Sequence, residues 1–245
     1  MPKAGFFKIL DSVDSTNNYA MALVREGMAK HGMAFAAREQ TAGKGQRGKS
    51  WQMQPGQSIA MSLTLKTGKL KVSHPFCLSM LVALAVNDLF KKYAGKETFI
   101  KWPNDLYWRD RKAGGILIET VFKGTEWKWS VVGIGLNINQ SQFPKSLPNP
   151  VSLKQITGND YDAIELAGIL HELVMKRVEE FVAGSTDKIA KEYNRCLYKK
   201  DETVRLKKAN AVFKTTIKGV SLQGQLLTQD TMERQFNFGE VEWVL

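Results

Sequence analysis

A chain of 245 residues, 43% apolar and 24% charged, carries enough core material for one large domain, or for a large and a small one, in a soluble protein. Its two cysteines, Cys77 and Cys196, exclude a disulfide framework and a cysteine zinc site, and read as buried thiols of a reducing, cytoplasmic setting. The net charge is +11, and 8 basic against 6 acidic residues from position 197 onward leave +9 for the first part, where an anion would be drawn.

The first residues, Met1-Pro-Lys-Ala-Gly-Phe-Phe-Lys, lack the apolar stretch of a signal peptide. Residues 6–10 read as a short strand. The polar cluster Asp14-Ser15-Thr16-Asn17-Asn18 follows, with Asp14 or Ser15 as helix N-cap and Tyr19, Leu23 and Val24 on one helical face. Residues 33–38 form a strand that feeds a glycine-rich loop, and 58–65 form the next. The longest apolar run, 76–90, contains Ser79, Asn87 and Asp88. It is too short to cross a bilayer and reads as a core helix opened by Ser73-His74-Pro75, so no membrane partner is expected.

Residues 98–102 form a strand stopped by Pro103. Asn104-Asp105 makes a turn, 106–108 pair back, and apolar strands cover 113–122 and 127–136. Pro144, Pro148 and Pro150 mark a loop, and helices are expected over 161–182 and 185–198. Five short strands then follow, at 204–206, 212–217, 224–228, 234–238 and 241–245. They are spaced like a small β-barrel, which places a domain boundary near Lys199. The fold class is α+β, with a mixed or antiparallel sheet in the larger domain.

Residues 38–51 read R-E-Q-T-A-G-K-G-Q-R-G-K-S-W. Gly43, Gly45 and Gly48 let the backbone bend and present its N–H groups, while Lys44, Arg47 and Lys49 add positive charge. The letters satisfy both G-x-G-x-x-G and G-x-x-x-x-G-K-[ST], yet each pattern requires a helix to open directly after the loop. Pro55 and Gly56 forbid that helix, and no acidic residue stands about twenty positions on to hold a ribose. Neither a P-loop nor a dinucleotide fold is therefore expected. Lys101, Asn104 and Asp105 surround a proline-fixed turn, Lys112 precedes Gly114-Gly115, and Gly133-Ile-Gly135-Leu-Asn137 ends a buried strand. Two lysines beside a nest of N–H groups suit a triphosphate and the charge on a reacting phosphorus.

D-S-T-N from Asp14, Q-T-A-G-K-G-Q-R-G-K-S-W from Gln40, K-W-P-N-D from Lys101, R-K-A-G-G-I-L-I-E from Arg111 and G-I-G-L-N from Gly133 occur in that order. Together they resemble the biotin–protein ligases, across nearly the whole chain. The resemblance implies a catalytic domain over 1–198, like the class II aminoacyl-tRNA and biotin synthetases, and an SH3-like barrel over 199–245. It implies that ATP and biotin, with Mg²⁺, give biotinyl-5′-adenylate, and that a lysine of a biotin carboxyl carrier protein then takes the biotin. Ser15, Thr16, Asn17 and Gln40 match the groups that hold the ureido ring. Gly43, Lys44, Gly45 and Gln46 match the loop that closes over biotin, and Gly114 and Gly115 join the biotin side. Lys112 matches the lysine that meets the biotin carboxylate and α-phosphate. Arg47, Trp51, Lys101, Asn104 and Asn137 match the nucleotide side, and Asp105 is a candidate to assist the carrier amine. No metal ligand is assigned, and a homodimer stays open.

Lipoate ligation is the rival chemistry. A nucleic-acid module is the rival class, but the barrel's bases are nearly balanced by acids and no stacking stripe appears, so no nucleic-acid partner is expected. Some members carry an N-terminal helix-turn-helix that represses transcription. This chain starts almost at D-S-T-N, so a ligase without repressor function is expected. Lys44, Gln46 and Lys49 stand where arginines are common in the family loop. Lysine lacks the arginine fork and Gln46 is neutral, so a looser hold on the adenylate follows. Gln46→Arg should slow adenylate release in a rapid-dilution assay, and an unchanged rate would contradict this account of the loop.

Overall fold

The computed structural model describes residues 6–69, 75–183 and 186–244. The expected helix openings at Ser73, His74 and Ser185, and the chain end at Leu245, lie outside them. Seven strands build the larger sheet: β1 (Phe7–Val13), β2 (Met33–Gln40), β3 (Ser58–Lys66), β4 (Thr98–Lys101), β5 (Asp105–Trp108), β6 (Arg111–Lys123) and β7 (Glu126–Asn137). Their spatial order is β1-β2-β3-β7-β6-β5-β4. β1 and β2 run parallel, and the other neighbours are antiparallel, which makes the sheet mixed. A parallel pair needs a crossover, and α1 (Thr16–Arg25) supplies it.

Strand periodicity divides the sheet's two faces. Val132, Ile134 and Leu136 of β7 join the main core with α2 (Phe76–Ala94) and α4 (Ala163–Ala183). Val131 points the other way, into a smaller cluster with Ala20, Val24 and Phe35 under α1. Gly133 and Gly135 continue that second face. α2 is apolar on nearly every side because β4 to β6, α4 and α5 (Thr186–Arg195) surround it. Each fully buried leucine there, such as Leu78 or Leu84, contributes about 1.5–3 kcal/mol. Arg177 of α4 ties the helical layer together, with Nη2 donating to Asp88 (2.5 Å) and Glu192 (2.6 Å).

Several boundaries differ from the sequence reading. β1 continues through Asp11 and Ser12 because the parallel pairing with β2 persists to Val13. Pro75 sits at the N-cap of α2 rather than in its first turn. The second long helix ends at Arg195, and the chain then runs extended along β4, with Ile100 N–H donating to Cys196 O and Tyr198 N–H to Ile100 O, both at 2.8 Å. A short helix, α3 (Leu153–Thr157), was not foreseen. Its signal is legible: Ser152 and Gln155 form a capping box and Gly158 closes the other end in the left-handed region.

The last part forms a five-stranded antiparallel sheet from β8 (Thr203–Lys208), β9 (Ala211–Val220), β10 (Leu226–Gln229), β11 (Glu233–Phe236) and β12 (Glu242–Trp243), in the order β11-β10-β9-β8-β12. This is consistent with an SH3-like unit. Among the described residues no ladder joins β11 to β12, so the expected barrel is an open sheet here.

His171 of α4 is buried, with Nε2 2.8 Å from Gly32 O and Nδ1 without a hydrogen-bond partner among the described residues. Burial lowers its pKa, against weaker opposing effects of the Gly32 carbonyl and Glu172. The unfolded chain therefore takes up a proton near pH 6.5 that the folded chain resists, and stability falls as pH drops through and below that value. His171→Gln should flatten the decline in melting temperature between pH 7 and pH 5.5. A parallel decline in both proteins would rule this histidine out as the cause.

Candidate functional site

Residues opposed across antiparallel ladders point to one face. Read across the registers, Lys101, Asp105, Gly115, Gly135 and Ala60 form a single row over β4, β5, β6, β7 and β3. Four strand spacings make that row roughly 19 Å long. Its centre has almost no side chains. The next row on the same face holds Leu117, Gly133 and Ser62. The face is thus a trough with a charged end at the sheet's edge and a polar end beneath α1.

The polar end is a buried network. Ser15, Thr16 and Asn17 are each 3% exposed or less. The backbone N–H and the hydroxyl of Thr16 both donate to Gln40 Oε1, at 2.8 and 3.1 Å. Ser62 Oγ lies 2.7 Å from Thr16 Oγ1 and 2.5 Å from Asn17 Oδ1, and Asn17 Nδ2 donates to Glu119 Oε2 at 2.8 Å. A Cβ at Gly133 would stand 2.2 Å from Asn17 Oδ1, so the glycine makes room for this amide. Ser62 and Glu119 escaped the sequence reading. Their signal was a serine and a glutamate on strands that otherwise read as apolar. Ser15 occupies the N-cap, yet its side chain makes no capping bond.

The glycine loop roofs the trough. It folds as a small hairpin: Lys44 bridges Ser50, Gly45 N–H donates to Lys49 O at 2.7 Å, and Trp51 N–H donates to Gly43 O at 2.8 Å. Its tip is a 3₁₀ turn with Arg47 in the left-handed region, and no α-helix follows, as the rejected phosphate motifs would have needed. A Cβ at Gly43 would lie 2.5 Å from Trp51 O. Trp51 lays its indole across Gly135, where a Cβ would meet Cε2 at 2.5 Å, and the indole N–H is buried without an acceptor among the described residues. Lys44, Arg47 and Lys49 are exposed, and Gln46 is half-buried. Arg47 meets the C-terminal segment, its guanidinium 5.3 Å from the Phe238 ring centre.

At the charged end the two lysines differ. Lys112 Nζ pairs with Asp105 Oδ1 at 2.7 Å, in a half-buried position. Lys101 is 7% exposed, and its Nζ donates to the Tyr107 hydroxyl at 3.0 Å. Among the described residues it has no carboxylate within ion-pair distance. Instead its Nζ stands 4.5, 5.1 and 5.9 Å from the ring centres of Tyr107, Trp243 and Tyr198. Burial presses its pKa down to about 8, opposed by Asp105 and helped by Lys112. Asn104 and Asn137 spend their N–H groups on backbone. Asn104 donates to Ile116 O at 2.7 Å, and Asn137 to Val151 O at 3.1 Å and Lys112 O at 3.4 Å, fixing the chain on both sides of Lys112. Gly114 faces the other way: a Cβ there would strike Leu136 in the core.

The structure therefore gathers Thr16, Asn17 and Gln40 at one end, Lys101, Asp105, Lys112 and Gly115 at the other, and Trp51 between them. A cleft of roughly 800 Å³ between α2, α4 and α5 is lined by Asp88, Arg177, Glu192 and other charged residues, and none of the expected site residues reaches it. Gly135→Ala should unseat Trp51 and raise the tryptic cleavage rate at Lys44, Arg47 and Lys49 severalfold, with the fold intact by circular dichroism. Unchanged cleavage would mean that the Trp51 seat does not hold the loop.

Comparison with known proteins agrees with this layout. Residues 9–137, over half of the chain, match the model of the biotin/lipoate A/B protein ligase family. The bifunctional ligase/repressor BirA of Bacillus spizizenii is 29% identical over 235 residues, 93% of this chain and 71% of that protein. The biotin–[acetyl-CoA-carboxylase] ligase of Paracoccus denitrificans is 36% identical over 172 residues, 66% of this chain and 68% of that one. A biotin protein ligase from Aquifex aeolicus, solved in complex with biotin and ATP, superposes with a TM-score of 0.82 at 24% identity, covering 97% of this chain and 98% of that one, a likeness of fold. The trough lies on strands inside the matched segment, and on these grounds the chain belongs to the biotin/lipoate A/B protein ligase family.

Proposed function

We propose that this chain is a biotin–[acetyl-CoA-carboxylase] ligase, with residues 1–198 as catalytic unit and 199–245 as a smaller C-terminal unit. The observation that carries this reading is the trough's polarity: buried amides and hydroxyls at one end, cations at the other, and a nearly bare floor between. Biotin has the matching shape, a ureido ring and a carboxylate joined by a flexible aliphatic chain. Ser15, Thr16, Asn17 and Gln40, backed by Ser62 and Glu119, receive the ring. Gly115 and Ala60 leave room for the aliphatic part, beside the Trp51 indole that covers Gly135. Lipoate's dithiolane offers no N–H or C=O, and would leave these buried polar groups unmatched, at about 1–3 kcal/mol for each unsatisfied group.

The carboxylate must then approach an anionic α-phosphate. Lys112 supplies the shared cation as the carboxylate oxygen attacks phosphorus and pyrophosphate leaves, giving biotinyl-5′-adenylate. Asp105 orients Lys112 through their ion pair, and Lys101 stands on the nucleotide side. Among the described residues no group of three or more histidine, cysteine, aspartate or glutamate side chains could cage a metal. The donors present fit Mg²⁺ carried in on the nucleotide's phosphates, with Asp105 as the nearby protein carboxylate, and the ion would offset phosphate charge. The adenylate is a hydrolysable mixed anhydride, so the loop over Gly135 has a physical task in keeping water out. In the second step a lysine amine of a biotin carboxyl carrier protein attacks the acyl carbon and AMP leaves. The positive charge concentrated in the first part of the chain favours an acidic carrier.

The test is biotin-dependent ATP–pyrophosphate exchange. Lys112→Ala should lower it by about 10²–10³-fold, on the order of 3–4 kcal/mol of barrier. Excess lipoate should leave the exchange of the unaltered chain unchanged. Full activity of the variant, or suppression by lipoate, would overturn the assignment.

A further inference from the structure

The cationic end of the trough is not built by the larger sheet alone. Tyr107 belongs to the same hairpin as Lys101, but Tyr198 lies beyond α5 and Trp243 lies on the last strand of the second sheet. We propose that Trp243 is a positioning residue for Lys101, so that the C-terminal unit completes the nucleotide end of the site. This rests on the ligase reading given above.

Lys101 is a nearly buried ammonium that donates to one phenol oxygen, the Tyr107 hydroxyl. Such a charge is stable only if something replaces its water, and the faces of aromatic rings do so, the indole best of all. Trp243 presents its ring to Lys101 while its own N–H is buried without an acceptor among the described residues. What this position uses is therefore the ring face and not a hydrogen bond. The ring is held from several sides. Trp243 pairs with Leu206 across β12 and β8, Val244 N–H donates to Arg205 O at 3.0 Å, and the Tyr198 ring stands 5.6 Å away. Tyr198 is itself fixed by its hydroxyl, which donates to Asp110 Oδ1 at 2.6 Å, and Lys199 meets the same carboxylate oxygen at 3.4 Å.

The enclosure leaves Lys101 charged at neutral pH with no carboxylate partner among the described residues, pointing to an anion that arrives from outside. A triphosphate would provide it. The same C-terminal segment also reaches the loop, because a Cβ at Gly239 would lie 2.2 Å from Arg47 Nη2. The second sheet thus touches both the nucleotide-side lysine and the tip of the cover.

The experiment compares Trp243→Phe, which keeps a ring, with Trp243→Leu, which keeps apolar volume without one. Both should retain the melting transition. Trp243→Leu should raise the KM for ATP about tenfold, with kcat and the KM for biotin changed less than threefold, while Trp243→Phe stays close to the unaltered chain. A pH series gives a second readout. Asp105, Asp110 and Lys112 act on Lys101 by charge, the Tyr107 hydroxyl bonds it and the Tyr198 ring faces it, and none of them is altered. In the unaltered chain, ATP binding should weaken above about pH 8, as Lys101 loses its proton. In Trp243→Leu the apolar volume is kept but a ring face that supports the ammonium is lost, so its charged form is less favoured and that limb moves to lower pH. Equal KM values for ATP in the Phe and Leu variants would overturn the proposal and leave the ligase reading standing. Absence of biotin-dependent exchange in the unaltered chain would overturn both.

Discussion

The site depends on what is missing from one face of a β-sheet. A strand residue on a covered face normally fills about 5 Å of height with its side chain, and a seven-stranded sheet would present a packed surface there. Gly133 and Gly135 remove that layer from β7, the central strand of the sheet. The space is not left for a ligand alone. Asn17 descends onto Gly133 and Trp51 onto Gly135, each so close that a single methyl would collide. Two residues from α1 and the loop are thereby located by contact with bare backbone, which neither rotates nor yields as a side chain would.

Charge is handled by a similar division. Two cations on one sheet face would repel each other, and the fold separates their circumstances. Lys112 is half-buried and compensated by Asp105, so it can stay charged and be aimed. Lys101 is deeper and surrounded by rings, an environment that supports a cation without neutralising it. A carboxylate beside Lys101 would compete with any incoming phosphate, and aromatic faces do not. Under the proposed chemistry this is the useful difference: one lysine held steady by a fixed anion, the other left for a mobile one.

Much of this was legible in the chain because its signals are local. Alternation marked β3, apolar runs marked β6 and β7, and Pro55-Gly56 excluded the helix that both glycine motifs require. The capping box at Ser152 was equally local, but the prolines around it drew the reading toward a featureless loop. What could not be read depends on register. Ser62 finds Asn17 across 45 residues and Glu119 finds Asn17 across 102, and only the ladder pairing brings them together. The glycines of G-I-G-L-N read as the end of a buried strand. That Asn17 and Trp51 descend onto them could not be seen without the fold.

The second sheet illustrates the same limit more sharply. Its composition is nearly charge-balanced, and its strands are short and ordinary, so nothing in residues 203–243 announces a part in the site. Its position changes that. Trp102 Nε1 donates to Gly224 O at 2.9 Å, and the Phe238 ring stands edge-on to Trp102 at 6.4 Å. Trp102 directly follows Lys101, so the contacts that dock the sheet also hold the backbone that carries the buried ammonium. Docking and site construction are one set of contacts here. A change that loosens the C-terminal unit must act on Lys101 before it acts on Lys112, which is tied to the chain around residues 149–151 and not to the second sheet.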